Sequence, residues 1–301
     1  MNVFWSPLYR DAISPEARFP RERYQKVYDE IRVRDTENAI TIHSPRLATR
    51  DELARVHDRD YVDAFLDNRL ERREIIRIGF RPWLPSFQER TLRLAGASLQ
   101  ALDCIGRGEP VAGNLGGGTH HAFRAHGEGY CVFNDLALCA RLARDELGAR
   151  SVLILDLDVH QGNGTAALLH DEPELFTYSI HGAKNYPFRK QESNLDIELE
   201  DGSGDTRFLE ALDATLPEVF RRRRPELVLY QAGVDALAED RLGKLAMTRA
   251  GIAARNERVF DLCSEVGAPV VVFMGGGYAE PIERSVEAHA DTFLYASHYS
   301  L

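Results

Sequence analysis

Four short apolar runs constrain the fold of this chain more than any other feature of its sequence. They are rich in β-branched or aromatic residues and cover residues 152–155, 175–179, 227–230 and 270–274. Sequence with the apolar spacing of an amphipathic helix precedes these runs, for example at 136–147, 208–220 and 249–266. Strands alternating with helices predict one α/β domain over residues 1–301, with a mostly parallel central sheet and helices on both faces.

Each apolar run continues into polar or glycine-rich residues. The four continuations are Asp-Leu-Asp-Val-His at 156–160, Ser-Ile-His at 179–181, Gln-Ala-Gly-Val-Asp at 231–235 and Gly-Gly-Gly-Tyr at 275–278. Ligands of open parallel sheets bind at the carboxyl ends of the strands. The sequence therefore predicts a functional site where these four strand ends meet.

The Asp-x-Asp-x-His run predicts a metal site. Alternation along a strand would place Asp156, Asp158 and His160 on one side, if strand geometry persists through the run. Carboxylates with an imidazole suit zinc, and Asp235 at another strand end is the candidate third ligand. Three protein ligands would leave a catalytic position open. Asp235 by itself would be better explained as a helix cap or loop residue, so the prediction depends on the whole run.

A glycine-rich turn precedes two adjacent histidines, His120 and His121. The three glycines at 116–118 allow positive φ angles and a close approach of the backbone to a ligand. Imidazole titrates near neutral pH and can carry the proton that amide hydrolysis moves. The two histidines are therefore predicted to have a catalytic role rather than a packing role.

Composition excludes several classes of protein. The formal net charge of −10 argues against binding to the phosphate backbone of nucleic acids. The four cysteines form no C-x-x-C pair, which favours free buried thiols in a reducing compartment over disulfides or a zinc ribbon. The sequence shows neither a signal peptide nor an apolar stretch long enough to cross a bilayer, and it predicts a cytoplasmic protein.

Together these motifs resemble those of histone deacetylases, which have the arginase–deacetylase fold. The matching segments are Gly-Gly-Gly-Thr-His-His-Ala at 116–122, Gly-Tyr-Cys-Val-Phe-Asn-Asp at 129–135, Asp-Leu-Asp-Val-His-Gln-Gly-Asn-Gly at 156–164, Gln-Ala-Gly-Val-Asp at 231–235 and Gly-Gly-Gly-Tyr at 275–278. Residues 161–164 and 235–245 are similar to the class IV branch. That branch includes long-chain fatty-acyl lysine hydrolases, so the resemblance implies acetyl or longer acyl substrates.

The resemblance implies roles for the metal ligands and histidines. Asp158, His160 and Asp235 would bind zinc, with iron as an alternative metal in the cell. His121 would be the general base and later the acid, while His120 would orient the attacking water. In the same comparison, Asp156 would hydrogen-bond His120, and Asn163 would lie behind His121.

Further roles follow from the same resemblance. Tyr278 would donate its hydroxyl to the substrate carbonyl and then to the oxyanion. The acyl-lysine would be bound by Gly129, Tyr130, Tyr186 and Gly276. A structural potassium ion would lie against the backbone of Asp156, Asp158, His160, Ser179 and Ile180.

The expected reaction is the removal of an acyl group from the ε-amine of lysine in a peptide or protein. An acetylpolyamine or another small acylated amine is the alternative substrate, and the oligomeric state stays open. A binuclear ureohydrolase is disfavoured because Gln161 follows His160 and Gly233 stands two residues before Asp235, where a second metal would need ligands. A degenerate, non-catalytic binding protein is disfavoured because every candidate catalytic position is filled.

Overall fold

One eight-stranded sheet organises the computed structural model, which describes all residues from Met1 to Leu301. Its strands, in chain order, are β1 (Asn2–Phe4), β2 (Thr41–His43), β3 (Val111–Asn114), β4 (Val152–Asp156), β5 (Leu175–Gly182), β6 (Leu195–Leu199), β7 (Leu227–Gln231) and β8 (Val270–Phe273). They lie in the order β2-β1-β3-β8-β7-β4-β5-β6. Every neighbouring pair is parallel, so the predicted mostly parallel sheet is wholly parallel.

Helices cover both faces of this sheet. They are α1 (Leu8–Asp11), α2 (Glu22–Arg34), α3 (Arg50–Leu53), α4 (Arg59–Leu66), α5 (Arg72–Ile78), α6 (Phe87–Gly106), α7 (Asp135–Leu147), α8 (Asn163–Leu169), α9 (Asp205–Arg223), α10 (Arg249–Val266) and α11 (Glu283–Ala296). Successive residues of β3 face opposite sides. Asn114 donates to the Leu94 carbonyl of α6, while Gly113 faces Phe293 of α11. The α6 and α11 layers therefore lie on opposite faces, as the alternating pattern predicts.

The four apolar runs form neighbouring strands in the middle of the sheet. They correspond to β4, β5, β7 and β8, and the three helical patterns correspond to α7, α9 and α10. Every residue of β4, β7 and β8 is buried, which explains why these strands read as continuous apolar runs. Strands β1, β2, β3 and β6 were not predicted. Strands β1 and β2 are three residues long, β3 is four residues long and contains a glycine and an asparagine, and β6 is a partly exposed edge strand.

The four cysteines are buried and free, as predicted. They pack as small apolar side chains in one continuous hydrophobic core, or beside it. None of the helices combines the length and apolar character that a bilayer crossing needs.

Strand register brings the functional segments to one edge. Asp156, the last residue of β4, pairs with Ser179 of β5 on one side and with Gln231 of β7 on the other. Gln231 pairs in turn with Phe273, the last residue of β8. The segments that follow these strands therefore leave the sheet side by side, at the carboxyl edge where ligands bind in such folds.

Candidate metal centre and catalytic site

Asp158, His160 and Asp235 converge at the carboxyl ends of β4 and β7. Nδ1 of His160 lies 3.0 Å from Oδ1 of Asp158 and 3.0 Å from Oδ2 of Asp235. All three side chains are buried, and one potential ligand atom from each lies within 4.8 Å of the other two. The structure thus brings together the three residues that the sequence nominates as metal ligands.

Backbone amides fix the two carboxylates in this arrangement. The second oxygen of Asp158 accepts from the N–H of Gly276 at 2.8 Å, and the second oxygen of Asp235 accepts from the N–H of Val159 at 2.8 Å. A Cβ atom at position 276 would lie 2.0 Å from Oδ2 of Asp235, so only glycine allows this approach. The carboxylates are therefore held in place before any ligand binds.

The expected strand geometry of the Asp-x-Asp-x-His run is wrong. Strand β4 ends at Asp156, and the chain then turns away from the sheet. Each aspartate accepts from the backbone N–H two residues later: Asp156 from Asp158 at 3.1 Å, and Asp158 from His160 at 3.0 Å. These local bonds compete with sheet pairing and end the strand. These bonds also place the side chains of Asp156, Asp158 and His160 on one side of the chain, so the predicted grouping of the three still forms.

The chemistry of the donor set fits a divalent cation. Burial and the charge of Asp158 raise the pKa of Asp235 to about 7. Burial opposes the charged imidazolium of His160, but its hydrogen bonds with the two carboxylates raise its pKa to about 10. Both shifts reflect the two carboxylates, which repel each other and attract a cation placed between them. Two carboxylates and one imidazole are a ligand set that zinc accepts while keeping an open position.

The tandem histidines have different partners behind them. Nδ1 of His120 lies 2.7 Å from Oδ2 of Asp156, and Nδ1 of His121 lies 2.7 Å from Oδ1 of Asn163. Burial opposes the charged form of His120, but Asp156 and Asp158 outweigh it and raise its pKa. Burial and the charges of His120 and His160 hold the pKa of His121 well below its usual value. The two imidazoles are therefore suited to different proton-transfer roles.

Asn134 and Asp135 hold the glycine-rich turn in place, a role that the sequence did not reveal. The Asp135 carboxylate accepts from the backbone N–H groups of Gly118 and Thr119 at 3.0 and 2.8 Å. Asn134 caps α7 and also donates to the carbonyl of His120 at 3.3 Å. Gly118 has φ +94°, the positive angle expected of the turn. Both side chains lie in the matched Gly-Tyr-Cys-Val-Phe-Asn-Asp segment, which was the only available signal.

Tyr278 lines the pocket beside the metal ligands. Its ring centroid lies 6.5 Å from that of His160, with the two planes at 81°. Its backbone N–H donates to the buried Asp240 at 2.6 Å. Arg23, also buried, donates to the carbonyl of Gly277 at 2.7 Å, and its guanidinium carbon lies 4.9 Å from the Tyr278 ring centroid. Asp240 and Arg23 thus fix both sides of the Tyr278 loop, and neither role was predicted.

A pocket of about 460 Å³ opens above these side chains. Gly129, Tyr130, Tyr186 and Gly276 all line it, as the resemblance implies. The backbone N–H and carbonyl of Gly276 are both bonded within the protein, to Asp158 and Val234, so this glycine offers a substrate only its Cα surface. The structure therefore collects the four predicted channel residues around one cavity.

The predicted potassium site also falls at this sheet edge. Of the five residues named for it, Asp156 ends β4, Asp158 and His160 follow that strand, and Ser179 and Ile180 lie in the adjacent part of β5, where Asp156 pairs with Ser179. Ile180 follows Ser179 within β5 and is fully buried. Backbone carbonyls are suitable ligands for a hard cation. Potassium binding here stays a prediction.

Arg255 stabilises the two backbone segments that carry the metal ligands. It is fully buried on α10 and donates to the carbonyls of Leu157 and Gly233 at 3.2 and 2.7 Å. These carbonyls follow β4 and β7, the two strands that carry the metal ligands. Arg255 and Asn256 stand among the apolar positions of α10, and this sequence signal was not recognised.

Comparison with known proteins places this geometry in a family. The model of the histone deacetylase domain matches residues 17–293. An uncharacterized protein of Picosynechococcus sp. is 38% identical over 288 residues, covering 96% of this chain and 95% of that protein. Histone deacetylase 2 of Arabidopsis thaliana is 32% identical over 257 residues, covering 81% of this chain and 65% of that protein. The acetoin utilization protein AcuC of Bacillus subtilis is 32% identical over 269 residues, covering 82% of this chain and 69% of that protein.

A solved structure supports the same assignment at the level of the fold. The HD domain of HDA15 superposes with a TM-score of 0.83 and 21% sequence identity, over 99% of this chain and 91% of that one. The family model covers nearly the whole chain, including each segment that builds the site. This chain therefore belongs to the histone deacetylase family of hydrolases.

Proposed function

We propose that this deacetylase-family protein is a zinc-dependent lysine deacylase, a single catalytic domain in which Asp158, His160 and Asp235 hold the metal. The observation that carries the proposal is the buried convergence of these three side chains, two of which line one pocket together with two histidines and a tyrosine. When bound, zinc acts as a Lewis acid toward a carbonyl oxygen and lowers the pKa of water.

The side chains of this protein supply the remaining chemistry. His121 accepts a proton from the attacking water, whose oxygen bonds to the acyl carbon. Tyr278 donates its hydroxyl to the oxyanion that forms as the carbonyl bond opens. The carbon–nitrogen bond then breaks, and His121 delivers the proton to the departing lysine amine. The products are a carboxylate and a free lysine side chain. His120, whose Nδ1 lies 2.7 Å from Oδ2 of Asp156, orients the water.

The volume of the pocket supports acyl groups of more than one length. Tyr24 and Leu94 line the same cavity as the metal ligands and the channel tyrosines. An acetyl group occupies only a small part of about 460 Å³. We therefore propose activity on acetyl-lysine and on longer fatty-acyl lysines.

The mouth of the pocket is cationic, although the chain as a whole is acidic. Arg77, Lys184 and Lys244 line the pocket and are exposed, and the only carboxylate in the lining is Asp158. No carboxylate lies within ion-pairing distance of Arg77 or Lys184. These charges attract acidic residues that flank an acyl-lysine and oppose a polyamine, which is itself cationic. The charge pattern therefore favours acyl-lysine peptides with acidic flanks over acetylpolyamines.

A substrate panel on metal-loaded enzyme tests the proposal. It contains lysine peptides acylated with groups from acetyl to myristoyl, each with acidic and with basic flanks, and acetylpolyamines. We expect hydrolysis of the peptides, with kcat/KM several-fold higher for acidic flanks because exposed charge pairs contribute about 0.2–1 kcal/mol each. Parallel samples reconstituted with zinc or iron(II) identify the active metal.

A charge-reversal variant is the matched control for the mouth. Replacing Arg77 and Lys184 by glutamate leaves the residues at the bottom of the pocket untouched and reverses the preference for flanking charge. An enzyme that cleaves only acetylpolyamines, or no amide at all, contradicts the proposed lysine deacylase.

A further inference from the structure

Glu128 lies behind His121 and Asn163 and joins them to the pocket wall. Its Oε1 accepts from Nδ2 of Asn163 at 2.8 Å and from the Tyr186 hydroxyl at 2.7 Å. Burial opposes the charged form of Glu128, but the His126 imidazole, 3.7 Å away, and hydrogen bonds from Tyr186 and Asn163 outweigh it and lower its pKa. At neutral pH this side chain is therefore a carboxylate, which accepts hydrogen bonds and donates none.

The carboxylate determines which end of the Asn163 amide faces His121. An asparagine side chain has one accepting end and one donating end, and the two are alike in shape. Because Glu128 only accepts, the NH₂ end must face Glu128. The oxygen end then faces Nδ1 of His121, at 2.7 Å.

The orientation of the amide determines in turn where His121 carries its hydrogen. The oxygen of Asn163 can only accept, so Nδ1 of His121 must donate. In a neutral imidazole, the other nitrogen, Nε2, then has a free lone pair. A free Nε2 is what a general base needs.

We propose that Glu128 is a positioning residue that selects the Nδ1–H tautomer of His121 by fixing the Asn163 amide. The inference rests on the proposed function, since it gives His121 the role of base. Without Glu128, the amide can rotate by half a turn and donate to Nδ1 of His121, which places the hydrogen on Nε2 and blocks the base. The same carboxylate holds Tyr186, whose ring meets the His121 ring edge-on at 5.0 Å between centroids. Glu128 thus acts on His121 through two neighbours.

Paired substitutions separate this role from a purely structural one. In Glu128→Gln, the glutamine no longer forces one amide orientation, and we expect kcat to fall roughly tenfold with little change in KM. In Asn163→Asp, the new carboxylate faces that of Glu128, and the two repel each other in place of the 2.8 Å hydrogen bond. We expect kcat to fall roughly a hundredfold. Aspartate cannot present a donor to His121, so tautomer selection no longer needs Glu128.

The double variant is therefore the decisive one. In Glu128→Gln/Asn163→Asp, the glutamine amide donates to the new carboxylate, which accepts from Nδ1 of His121. We expect kcat to recover to within several-fold of the unmodified enzyme, so Glu128→Gln is harmful in one background and beneficial in the other. An equal loss in both backgrounds would overturn the proposal. Glu210→Gln, an exposed glutamate without an ion pair, is the matched control.

A spectroscopic measurement separates this proposal from the proposed function. Nitrogen NMR of ¹⁵N-histidine-labelled protein, with the His121 signals assigned by substitution, reports the tautomer without any turnover. We expect Nδ1–H in the unmodified protein and in the double variant, and a population of Nε2–H in Glu128→Gln. Tautomers that shift as expected in a protein without deacylase activity would leave this proposal standing and remove the proposed function. If the enzyme is active and the His121 tautomer is the same in all variants, the role of Glu128 is refuted and the proposed function stands.

Discussion

His57 gives a pH dependence of stability that can be calculated from the structure. The imidazole is 2% exposed and joins two segments next to the tandem histidines. Its Nδ1 lies 2.9 Å from the carbonyl of Phe123, and its Nε2 accepts from the N–H of Asn134 at 2.9 Å. To accept this hydrogen bond, Nε2 must offer a lone pair, so it carries no hydrogen. The imidazole is therefore neutral in the folded protein. Burial, together with the charges of Arg124 and Arg141, lowers its pKa to about 4 against the opposing effect of its backbone hydrogen bonds.

The consequence for folding has a definite sign. In the unfolded chain, histidine has a pKa of about 6.5, so the unfolded state binds the proton first as the pH falls. Stability is therefore complete above pH 6.5 and is lost between pH 6.5 and 4. At pH 5 the loss from this one group is about 2 kcal/mol relative to pH 7, out of a full difference of about 3.4 kcal/mol.

Urea unfolding at pH 7 and pH 5 measures this loss. In His57→Gln, the amide can still donate to one backbone group and accept from the other, but it does not titrate. Other buried histidines, such as His121 and His289, titrate in both proteins and cancel in the comparison. We expect the decrease in the free energy of unfolding to be about 2 kcal/mol smaller in the variant. Equal decreases in the two proteins would refute the neutral, hydrogen-bonded His57.

Other predictions test the proposed catalytic roles. Tyr278→Phe should lower kcat by roughly 10²- to 10³-fold while metal content stays unchanged, because an oxyanion donor of this type contributes about 2.7–4 kcal/mol. His121→Ala should lower kcat by at least about 10²-fold with the metal still bound, since it removes the group that moves the proton. Near-parental turnover in either purified variant would refute its role. Hydroxamates should inhibit competitively by chelating the metal, and insensitivity at high concentration would count against an open metal position.

Local sequence motifs predicted much of the site, because its residues stand just after buried strands. Asp158, His160 and Asp235 were nominated as one group, and the structure brings them together. That prediction combined the common edge of a parallel sheet with the residue types that bind divalent metals and with alternation along the Asp-x-Asp-x-His run. The expected strand geometry beyond Asp156 was nevertheless wrong, because side-chain hydrogen bonds to the backbone replace sheet pairing there.

Residues that act through distant segments could not be predicted from the sequence alone. Arg255 bonds to the carbonyl of Leu157, 98 residues away along the chain, and Glu128 bonds to Asn163, 35 residues away. The local sequence of neither residue indicates which distant segment it contacts. Net charge was equally uninformative about the pocket mouth, because a chain sum of −10 does not determine where Arg77 and Lys184 lie. The resemblance to the class IV branch stays a prediction, since the matching family model describes the family as a whole.

The most direct test of the account is to locate the metal in crystals by anomalous diffraction, with metal content measured on the same protein. The proposed metal site predicts one ion per chain, in contact with Asp158, His160 and Asp235, and its loss in Asp235→Ala. A chain that binds no metal at these side chains, or that binds two ions there, would contradict it.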